Sequence, residues 1–584
     1  MLDRPVRRLS AGTNGVIAAI AAAVVAITYW RIWYGVDFTD ESFYVAVPYR
    51  FALGAKPFVD ETSVTQQTTA ILLYPFVRAY YAVTGMTGIV LFVRHLQFLL
   101  SLLVGGAVYR SLRLFLERRL ALAVSLAAVV FVPFTIHSLS YDSVGSALLT
   151  AGCFLGVKPL VDSRARASRL GSALCLGLAA FAYPPLMIPV AVCVAVRIGL
   201  ARGHRLREGL EHGVVALGLP VLGLVGLAAS AGLSTVVADY RHSSEFLGQA
   251  GGVGKLRLIY HQTQRTLPHW WAVVPTVAML WLAWRYRRGA AVVALAALPL
   301  LVLPPRVTFF TASLNFAAHL GWIAPALFVL VRARPGAKLL FLTVWVPSFV
   351  AGATTAYSSA NGAVNFGVGG FPTAIVTTVY LIWAFEDAVG RIDRRAVALA
   401  PALTVLGLLF WSDTIPVYRD GSISALSARV QSGPYAGLAT TPWKRAWIDR
   451  LQHDLERYEP TCTILFFDDF PAGYLLSEAR PDTNGAWVAT IAQQLEKPYQ
   501  DELLRYYRSR SYPDVVVVMR RIPYTHHSGR TELYATRDPL LETIRPPAYR
   551  LALRRRTYAI YRRATVRCGN NPHGPIAHGK PTRV

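Results

Sequence analysis

The sequence predicts a polytopic α-helical membrane protein with about thirteen transmembrane helices, followed by an α/β domain outside the cytoplasm. Of its 584 residues, 54% are hydrophobic and only 16% are charged, whereas soluble domains carry about 25% charged residues. The apolar residues form blocks long enough to cross a bilayer core of about 30 Å. Short arginine clusters separate these blocks, as the positive-inside rule requires of cytoplasmic loops.

The basic clusters also set the predicted direction of the chain, because all of them fall on the cytoplasmic side when the N-terminus is placed there. The predicted spans are 14–34, 88–110, 120–136, 143–158, 169–184, 186–200, 212–231, 269–284, 289–303, 316–331, 338–353, 370–387 and 395–411. The predicted outer segments are 35–87, 137–142, 232–268, 304–315, 354–369 and everything after about residue 412. Residues 1–411 are therefore the transmembrane domain, and 412–584 are the outer domain.

Segment 66–84 is apolar but carries Pro75 and Arg78 at its middle. If it crossed the membrane, every later loop would change sides and the arginines would lie outside. We therefore predict a helix that lies in the outer interface, with its tyrosines at the depth of the lipid headgroups. The first outer loop, 35–87, then stays outside the cell as a whole.

The outer domain has the pattern of an α/β fold. A loop and a helix are predicted over 432–460, buried strands within 461–476 and 513–521, and a strand or hairpin over 549–563. Cys462 and Cys568 are candidates for a disulfide in this oxidising location. Asp468 and Asp469 end a strand, where they either act chemically or simply begin a turn, and the turn is the preferred interpretation. The domain is predicted to cover the site and guide the acceptor, with aromatic residues that stack on sugars or pack in the core: Trp443, Trp447, Tyr474 and Trp487.

The formal net charge of +26 does not indicate a nucleic-acid partner. The basic clusters between the apolar blocks are short, and no basic face interleaved with aromatic residues occurs. The predicted partner is the lipid bilayer.

Carboxylates are concentrated just beyond the first predicted span, at Asp37, Asp40, Glu41, Asp60 and Glu61. One interpretation is local, because Thr39 or Asp40 would cap a following helix and Glu41 suits its first turn. The other is functional, because this position is where a lipid-linked substrate presents its headgroup. A second outer loop, 138–146, also carries a single acid, Asp142. Acids near membrane depth usually face a cavity, which favours a shared site.

The run "DESFYVAVPYRFALGAKPFVDE" has an Asp-Glu pair after the first span and a Gly-x-x-Pro-Phe-x-Asp continuation. It resembles the first outer loop of bacterial GT-C glycosyltransferases, which are relatives of the dolichyl-phosphate-mannose-protein mannosyltransferases and of the lipid A aminoarabinose transferase. The "SYDS" loop and the outer α/β domain fit this resemblance. It implies an enzyme that moves a sugar, with inversion, from a polyprenyl-phosphate donor to an acceptor on the outer membrane face.

The resemblance implies that Asp40 is the general base. Glu41 and Asp142 would orient the acceptor, support Asp40 or hold a divalent cation such as Mg²⁺, Mn²⁺ or Ca²⁺, the only cofactor considered. Mannose and arabinofuranose are the donor sugars considered, and the acceptor is a polysaccharide, a glycolipid or a protein. A transporter or flippase of lipid-linked sugars is the alternative, but the sequence shows few charges within spans and no clear repeat.

The leaving phosphate needs a cation, and Arg94 with His95 lies just inside the outer end of a span. The alternative for Arg94 is snorkelling to the interface. Arg265, near His261, and Arg306 are the further candidates for the phosphate. Candidates for binding the sugar or the acceptor are Tyr44, Asp60, Gln66, Tyr141, Tyr240 and His242.

Overall fold

The computed structural model consists mainly of helices, with a small sheet near the C-terminus, as the sequence predicts. The structure describes residues 11–62, 64–162, 164–200, 205–247, 253–266, 311–359, 361–389, 394–458, 463–467, 470–487, 506–507, 512–519, 524–525, 531–532 and 548–564.

The helices of the membrane domain fall on the predicted apolar blocks. In chain order they are α1 Ala11–Arg31, α2 Asp40–Ala52, α3 Val64–Thr84, α4 Ile89–Leu112, α5 Arg118–Val130, α6 Tyr141–Leu155, α7 Arg166–Ala182, α8 Met187–Leu200, α9 Arg205–Ala231, α10 Leu233–Leu247, α11 Val253–Thr266, α12 Ala312–Val331, α13 Ala337–Ser358, α14 Phe366–Val389 and α15 Arg394–Thr414. The predicted spans 269–284 and 289–303 lie outside the described residues. Every other predicted span coincides with one of these helices.

Within the described residues, six helices are long and apolar enough to cross a membrane: Ile89–Leu112, Tyr141–Val161, Leu206–Ala231, Ala312–Val331, Ala337–Ser358 and Gly362–Asp387. Three further apolar helices are shorter: Gly15–Arg31, Pro184–Leu200 and Leu399–Thr414. These lengths and compositions agree with a membrane protein. The count of thirteen and the direction of each span stay predictions.

Two segments between the spans have more structure than their composition suggests. The segment 66–84 is a helix, α3, as predicted, and its first turns dock on the end of α7 through the hydroxyls of Thr68 and Thr69, which donate to the carbonyl of Ala182 (3.1 and 2.9 Å). The segment 232–268, predicted to lie outside the membrane, contains α10 and α11. Only one narrow face of α11 is buried.

The C-terminal part contains α16, Pro442–Tyr458, and a five-stranded sheet in the order β4-β3-β5-β9-β8. The strands are β1 Ala428–Arg429, β2 Ala439–Thr440, β3 Thr463–Phe467, β4 Arg480–Pro481, β5 Val515–Met519, β6 Tyr524–Thr525, β7 Thr531–Glu532, β8 Tyr549–Arg554 and β9 Tyr558–Arg563. Strand β3 pairs in parallel with β4 and β5, while β5–β9 and β8–β9 are antiparallel. The predicted helix, buried strands and hairpin are all present.

Alternation of side chains places the sheet between two cores. Ile464 and Phe466 on β3, with Val515 and Val517 on β5, belong to a core that α16 also enters through its apolar face. Their neighbours Leu465, Phe467, Val516 and Val518 pack on the opposite face.

The first of these cores is shared with the first outer loop. It continues from the sheet and α16 into α2, α3 and the start of α4. Main-chain bonds join the two parts, since Gly35 N donates to Ala439 O and Ala439 N donates to Trp33 O, each at 2.8 Å. The predicted division at 411/412 falls in the last turn of α15. The loop 35–87 and the C-terminal domain are packed together as one layer on one end of the helices.

Candidate active site

The acids of the first loop have separate partners, beginning with Asp37. Its Oδ2 accepts a hydrogen bond from Glu41 N (2.8 Å), and its Oδ1 accepts from Thr39 N (3.2 Å) and the Thr39 hydroxyl (2.8 Å). Asp37 therefore satisfies the first turn of α2, while Thr39 at the N-cap position makes no capping bond with its own side chain. Burial raises the pKa of Asp37 to about 6, against the opposing effect of Arg419. The expectation that Thr39 or Asp40 caps this helix was wrong.

Glu41 and Arg94 form a buried, two-pronged ion pair. The Nε and Nη2 of Arg94 each lie 2.6 Å from a carboxylate oxygen of Glu41. The remaining donors of Arg94 reach the carbonyls of Ile32 (2.7 Å) and Gly35 (2.8 Å). This arrangement joins α4 to α2 and to the end of α1.

Arg94 does not snorkel, because its side chain is 5% exposed and points into the protein. Each N–H group of Arg94 has an acceptor in this structure, and both oxygens of Glu41 accept from Arg94. The roles expected for Arg94 at the donor phosphate and for Glu41 at a cation or the acceptor stay predictions. His95 faces away from the acids, since its Nδ1 donates to Leu91 O (2.7 Å) and its Nε2 lies 3.2 Å from the Tyr29 hydroxyl.

Asp40 is the acid of this loop that keeps an accessible oxygen. Its Oδ2 accepts a hydrogen bond from the Tyr418 hydroxyl (2.7 Å) and forms an ion pair with Nη1 of Arg419 (2.7 Å). Its Oδ1 has no hydrogen-bond partner among the described residues, and the side chain is 18% exposed. One oxygen is thus anchored and the other is available.

Sequence reasoning missed Tyr418 and Arg419. They follow the last helix of the membrane domain, and Tyr418 is separated from Asp40 by 378 positions. Arg419 has a left-handed backbone with φ of 49°, which a non-glycine residue seldom adopts. Burial and the neighbouring Asp40 raise the pKa of Tyr418 well above its usual value, so this hydroxyl stays protonated and donates to Asp40.

Asp142 faces Asp40 from the first turn of α6. Ser140 and Ser143 cap this helix reciprocally, with Ser143 N donating to Ser140 Oγ (3.1 Å) and Ser140 N donating to Ser143 Oγ (2.8 Å). The carboxylate of Asp142 is therefore not needed as a cap. It is buried, its Oδ1 has no partner within the described chain, and it lies close enough to Asp40 for the two to interact electrostatically.

Aromatic residues surround the two acids, as the sequence expectation for Tyr44 and Tyr141 suggested. These two rings pack edge to face with centroids 6.1 Å apart, and the centroids of the Tyr141 and Tyr183 rings are 5.0 Å apart. Both Tyr44 and Tyr141 lie within electrostatic reach of Asp40 and of Asp142. We name the group Asp40, Asp142, Tyr44, Tyr141, Tyr418 and Arg419 the acidic site.

The other sequence-predicted residues are spread more widely. Asp60 stabilises its own turn, its Oδ2 accepting from Lys56 N (2.8 Å). Gln66 is fully buried at the start of α3, and neither amide atom has a partner among the described residues. Tyr240 stacks on Phe58 with ring centroids 6.0 Å apart, and its buried hydroxyl is likewise without a partner in the described chain.

Several candidates cannot be placed by side chain. His242 lies on α10 and Arg265 on α11, but their side chains are outside the described residues. His261 is exposed on α11. Lying wholly outside the described residues are Arg306, Cys462, Asp468, Asp469 and Cys568. The proposed disulfide therefore stays a prediction, and Cys153, Cys175 and Cys193 are free, with the first and last buried as packing residues.

A divalent cation fits the acidic site only in part. No cluster of three or more His, Cys, Asp or Glu side chains suited to a metal occurs within the described residues. Asp40 and the orphaned oxygen of buried Asp142 supply two carboxylates. Two carboxylates suffice for Mg²⁺ when substrate phosphates complete its coordination.

No protein-family model matches this chain, and no curated protein matches it. Solved structures do match most of its length. The apo oligosaccharyltransferase of Archaeoglobus fulgidus is 13% identical, covering 86% of this chain and 69% of its own at a TM-score of 0.45. ArnT from Cupriavidus metallidurans in the apo state is 15% identical, and the match covers 94% of this chain and 98% of the ArnT chain at a TM-score of 0.45.

Two further matched structures are the archaeal oligosaccharyltransferase AglB from Archaeoglobus fulgidus in complex with an inhibitory peptide and a dolichol-phosphate, and ArnT from Cupriavidus metallidurans bound to undecaprenyl phosphate. The chain is similar to them in its helical membrane architecture. At these identities and TM-scores the likeness assigns no ligand and no residue role to this chain.

Proposed function

We propose that this chain is a membrane glycosyltransferase that moves a sugar from a polyprenyl-phosphate donor to a cell-envelope acceptor on the outer membrane face, with inversion. The observation that carries the proposal is the division of roles among the acids. Asp37 is used in a cap and Glu41 in an ion pair, whereas Asp40 and Asp142 lie within electrostatic reach of each other, each with an unpaired oxygen, beside a cluster of tyrosines.

Asp40 is the general base in this proposal. The acceptor hydroxyl gives its proton to Oδ1 of Asp40 while its oxygen attacks the anomeric carbon of the donor sugar. The bond between that carbon and the phosphate oxygen breaks, and its electron pair leaves with the polyprenyl phosphate. Attack opposite the leaving group inverts the anomeric configuration.

The neighbours of Asp40 prepare this step. Tyr418 and Arg419 hold Oδ2, so Oδ1 keeps one direction toward the acceptor without reorganising during the reaction. Asp142 orients the acceptor, and the rings of Tyr44 and Tyr141 offer flat apolar surfaces to a sugar. Where a divalent cation takes part, Asp40 and Asp142 would be the carboxylates that hold it, and it would act as a Lewis acid on the bound substrate.

The donor sugar and acceptor are proposed by class. Mannose and arabinofuranose are the candidate donor sugars, with a polysaccharide, a glycolipid or a protein as acceptor. The alternative of a flippase for lipid-linked sugars predicts translocation without formation of a new glycosidic bond.

The test is transfer by the purified protein reconstituted in liposomes. Polyprenyl-phosphate mannose and polyprenyl-phosphate arabinofuranose, each radiolabelled in the sugar, are supplied with a cell-envelope extract as acceptor. We expect Asp40→Asn to abolish transfer, since loss of a general base costs about 10²–10⁴-fold in rate. The control is Asp387→Asn, which neutralises an exposed acid paired with Arg334 at the far end of α14 and should leave transfer unchanged.

Near-normal turnover by Asp40→Asn would reject the assignment of the base. Movement of labelled lipid across the bilayer without any transferred sugar would favour the flippase.

A further inference from the structure

Lys255 is buried on α11, although most of the described residues of this helix are exposed. On α11 the residues Lys255, Ile259 and Gln262 recur at spacings of four and three, so they lie on one face of the helix. This face packs on α13 and on the 3₁₀ turn Gly362–Asn365. Lys255 thus occupies a position where an amphipathic helix normally places an apolar side chain.

The position of α11 is specified by contacts on this face. Gln262 Oε1 accepts a hydrogen bond from Ala363 N (2.8 Å). Gly362 has φ of +60°, and a Cβ at this residue would come within 2.0 Å of the same amide oxygen. Glycine is needed here for both backbone conformation and space. The burial of Lys255 therefore follows from a defined contact between α11 and the 3₁₀ turn.

The ammonium group of Lys255 is only partly satisfied. Its side chain is 4% exposed, and its Nζ donates to the carbonyl of Ser359 (2.5 Å). Lys255 forms no ion pair with any described carboxylate. A buried ammonium without a counter-charge is costly, and burial accordingly lowers the pKa of Lys255. An anionic ligand would supply the missing charge.

Polar groups continue from Lys255 toward the acidic site. Ser358, next to Ser359, lies with its hydroxyl 3.3 Å from that of Tyr183. Tyr183 in turn contacts Tyr141 and lies within electrostatic reach of Asp142. The amide of Asn365 is fully buried beside the hydroxyl of Tyr183, with which it interacts, and its Nδ2 and Oδ1 have no hydrogen-bond partner of good geometry within the described chain.

We infer that Lys255 binds the phosphate of the lipid-linked sugar donor, with the Asn365 amide as a second donor to the same phosphate. The inference rests on the proposed function. It places the anionic leaving group at the Lys255 end of this polar path, with Asp40 and Asp142 at the other end. An ammonium on a phosphate is a strong, charge-assisted contact.

The outward side of α11 suits the lipid part of such a donor. Leu256, Leu258 and Tyr260 are exposed large apolar side chains, 58%, 37% and 59% accessible. They lie on the two exposed flanks of α11, on either side of the face that carries Lys255. In this inference the polyprenyl chain lies against such apolar side chains while its phosphate reaches inward to Lys255.

The experiment measures binding of undecaprenyl phosphate to the full-length protein in nanodiscs. The variants are Lys255→Met, which keeps length and removes charge, Lys255→Arg, which keeps charge, and Asn365→Leu, which removes both unpaired amide atoms. The matched control is Lys338→Met, at an exposed lysine on α13. Undecaprenol, which lacks the phosphate, and inorganic phosphate, which lacks the lipid, are measured beside it.

We expect Lys255→Met to weaken undecaprenyl phosphate binding by at least about tenfold, because one charge-assisted contact is lost. Lys255→Arg should restore much of this loss, Asn365→Leu should weaken binding by a smaller factor, and undecaprenol should bind all variants alike. Inorganic phosphate should compete only weakly.

Equal binding of undecaprenyl phosphate by wild type and Lys255→Met would overturn the inference and leave the proposed function standing. Tight binding of inorganic phosphate with no preference for the lipid would also overturn it. A wild-type protein that neither binds the lipid phosphate nor transfers sugar would overturn both proposals together.

Discussion

At the scale of single residues, the structure separates neighbouring acids that have the same chemistry. Asp37, Asp40 and Glu41 lie within five positions, yet they cap a helix, face an accessible site and neutralise a buried arginine, respectively. What differs is the partner that the fold brings to each. A carboxylate becomes available for catalysis here because the neighbouring acids take up the local structural roles.

The ion pair of Glu41 and Arg94 gives a prediction that separates stability from catalysis. Arg94→Met leaves Glu41 buried without its counter-charge and should destabilise the protein by about 3–5 kcal/mol. The double variant Glu41→Met with Arg94→Met removes both charges and should recover much of that loss. Thermal unfolding of the purified variants in detergent measures both effects.

Transfer activity of the folded double variant decides between two roles for Arg94. If Arg94 only positions α2, the double variant keeps measurable transfer. If Arg94 is after all a ligand of the donor phosphate, the double variant is folded but inactive.

At the scale of elements, the start of α2 depends on a carboxylate that lies before the helix. The side chain of Asp37 accepts a hydrogen bond from Glu41 N in the first turn of α2. The local pattern therefore predicted the start of the helix correctly, but Asp37 caps it rather than Thr39 or Asp40. A residue two or more positions before the first helical turn can cap it only when the chain folds back. That fold-back is held by Asp420, whose Oδ2 accepts from Val36 N (2.8 Å).

The raised pKa of Asp37 gives a prediction for pH. Burial raises it from 3.8 to about 6, so the folded protein retains a proton that the unfolded chain has already lost in this range. Stability from this group is present below about pH 4 and is lost as pH rises toward 6. Asp37→Asn, which still offers a capping oxygen, should reduce that fall, whereas Asp37→Ala should also lose about 1 kcal/mol of capping.

The measurement is the difference in melting temperature between pH 4 and pH 7 for wild type and both variants. Common effects of other acids cancel in the comparison. An unchanged pH dependence in Asp37→Asn would show that Asp37 titrates normally in the folded protein.

At the scale of the whole molecule, the acidic site is completed by the connection into the C-terminal domain. Tyr418 and Arg419 contact Asp40 from the segment after α15. The C-terminal domain is anchored to this segment by the buried Lys444, whose Nζ lies 3.6 Å from Oδ1 of Asp420. The first loop and the sheet share one core. The C-terminal domain therefore belongs to the site through its attachment, whatever it contributes to the acceptor.

We predict that removing residues 412–584 abolishes transfer even where the membrane helices still insert. The chain would lose Tyr418 and Arg419, and much of the core around α2 would be exposed. Transfer by membranes that contain the truncated chain, compared with the full chain at equal abundance, measures this. Full activity of the truncated chain would mean that Asp40 needs neither partner.

We also predict that the C-terminal domain lies outside the cytoplasm. A reporter active only in the cytoplasm should be silent when fused to the C-terminus and active when fused to the N-terminus. A strong C-terminal signal would mean that α3 crosses the membrane or that another span is miscounted.

The sequence by itself determined the elements of this protein. Apolar blocks long enough to span a bilayer form helices in the described part of the chain. The short apolar runs "TILFF" and "VVVVM" form buried strands, because β-branched and aromatic side chains favour that conformation. The acids of the first loop and Asp142 were also predicted to meet, since both follow the outer ends of predicted spans.

Only the tertiary structure decided which acid has an oxygen accessible to a substrate and which arginine is already paired. Arg94 is paired across 53 positions and Tyr418 reaches Asp40 across 378, separations at which no local pattern indicates contact. Lys255 appears in the sequence as one of several basic residues in a polar segment, and its burial depends on the docking of α11. The physical reason is common to all three. The role of a charged group depends on its partners and its exposure to solvent, and the tertiary fold determines both, independently of the residues next to it in the sequence.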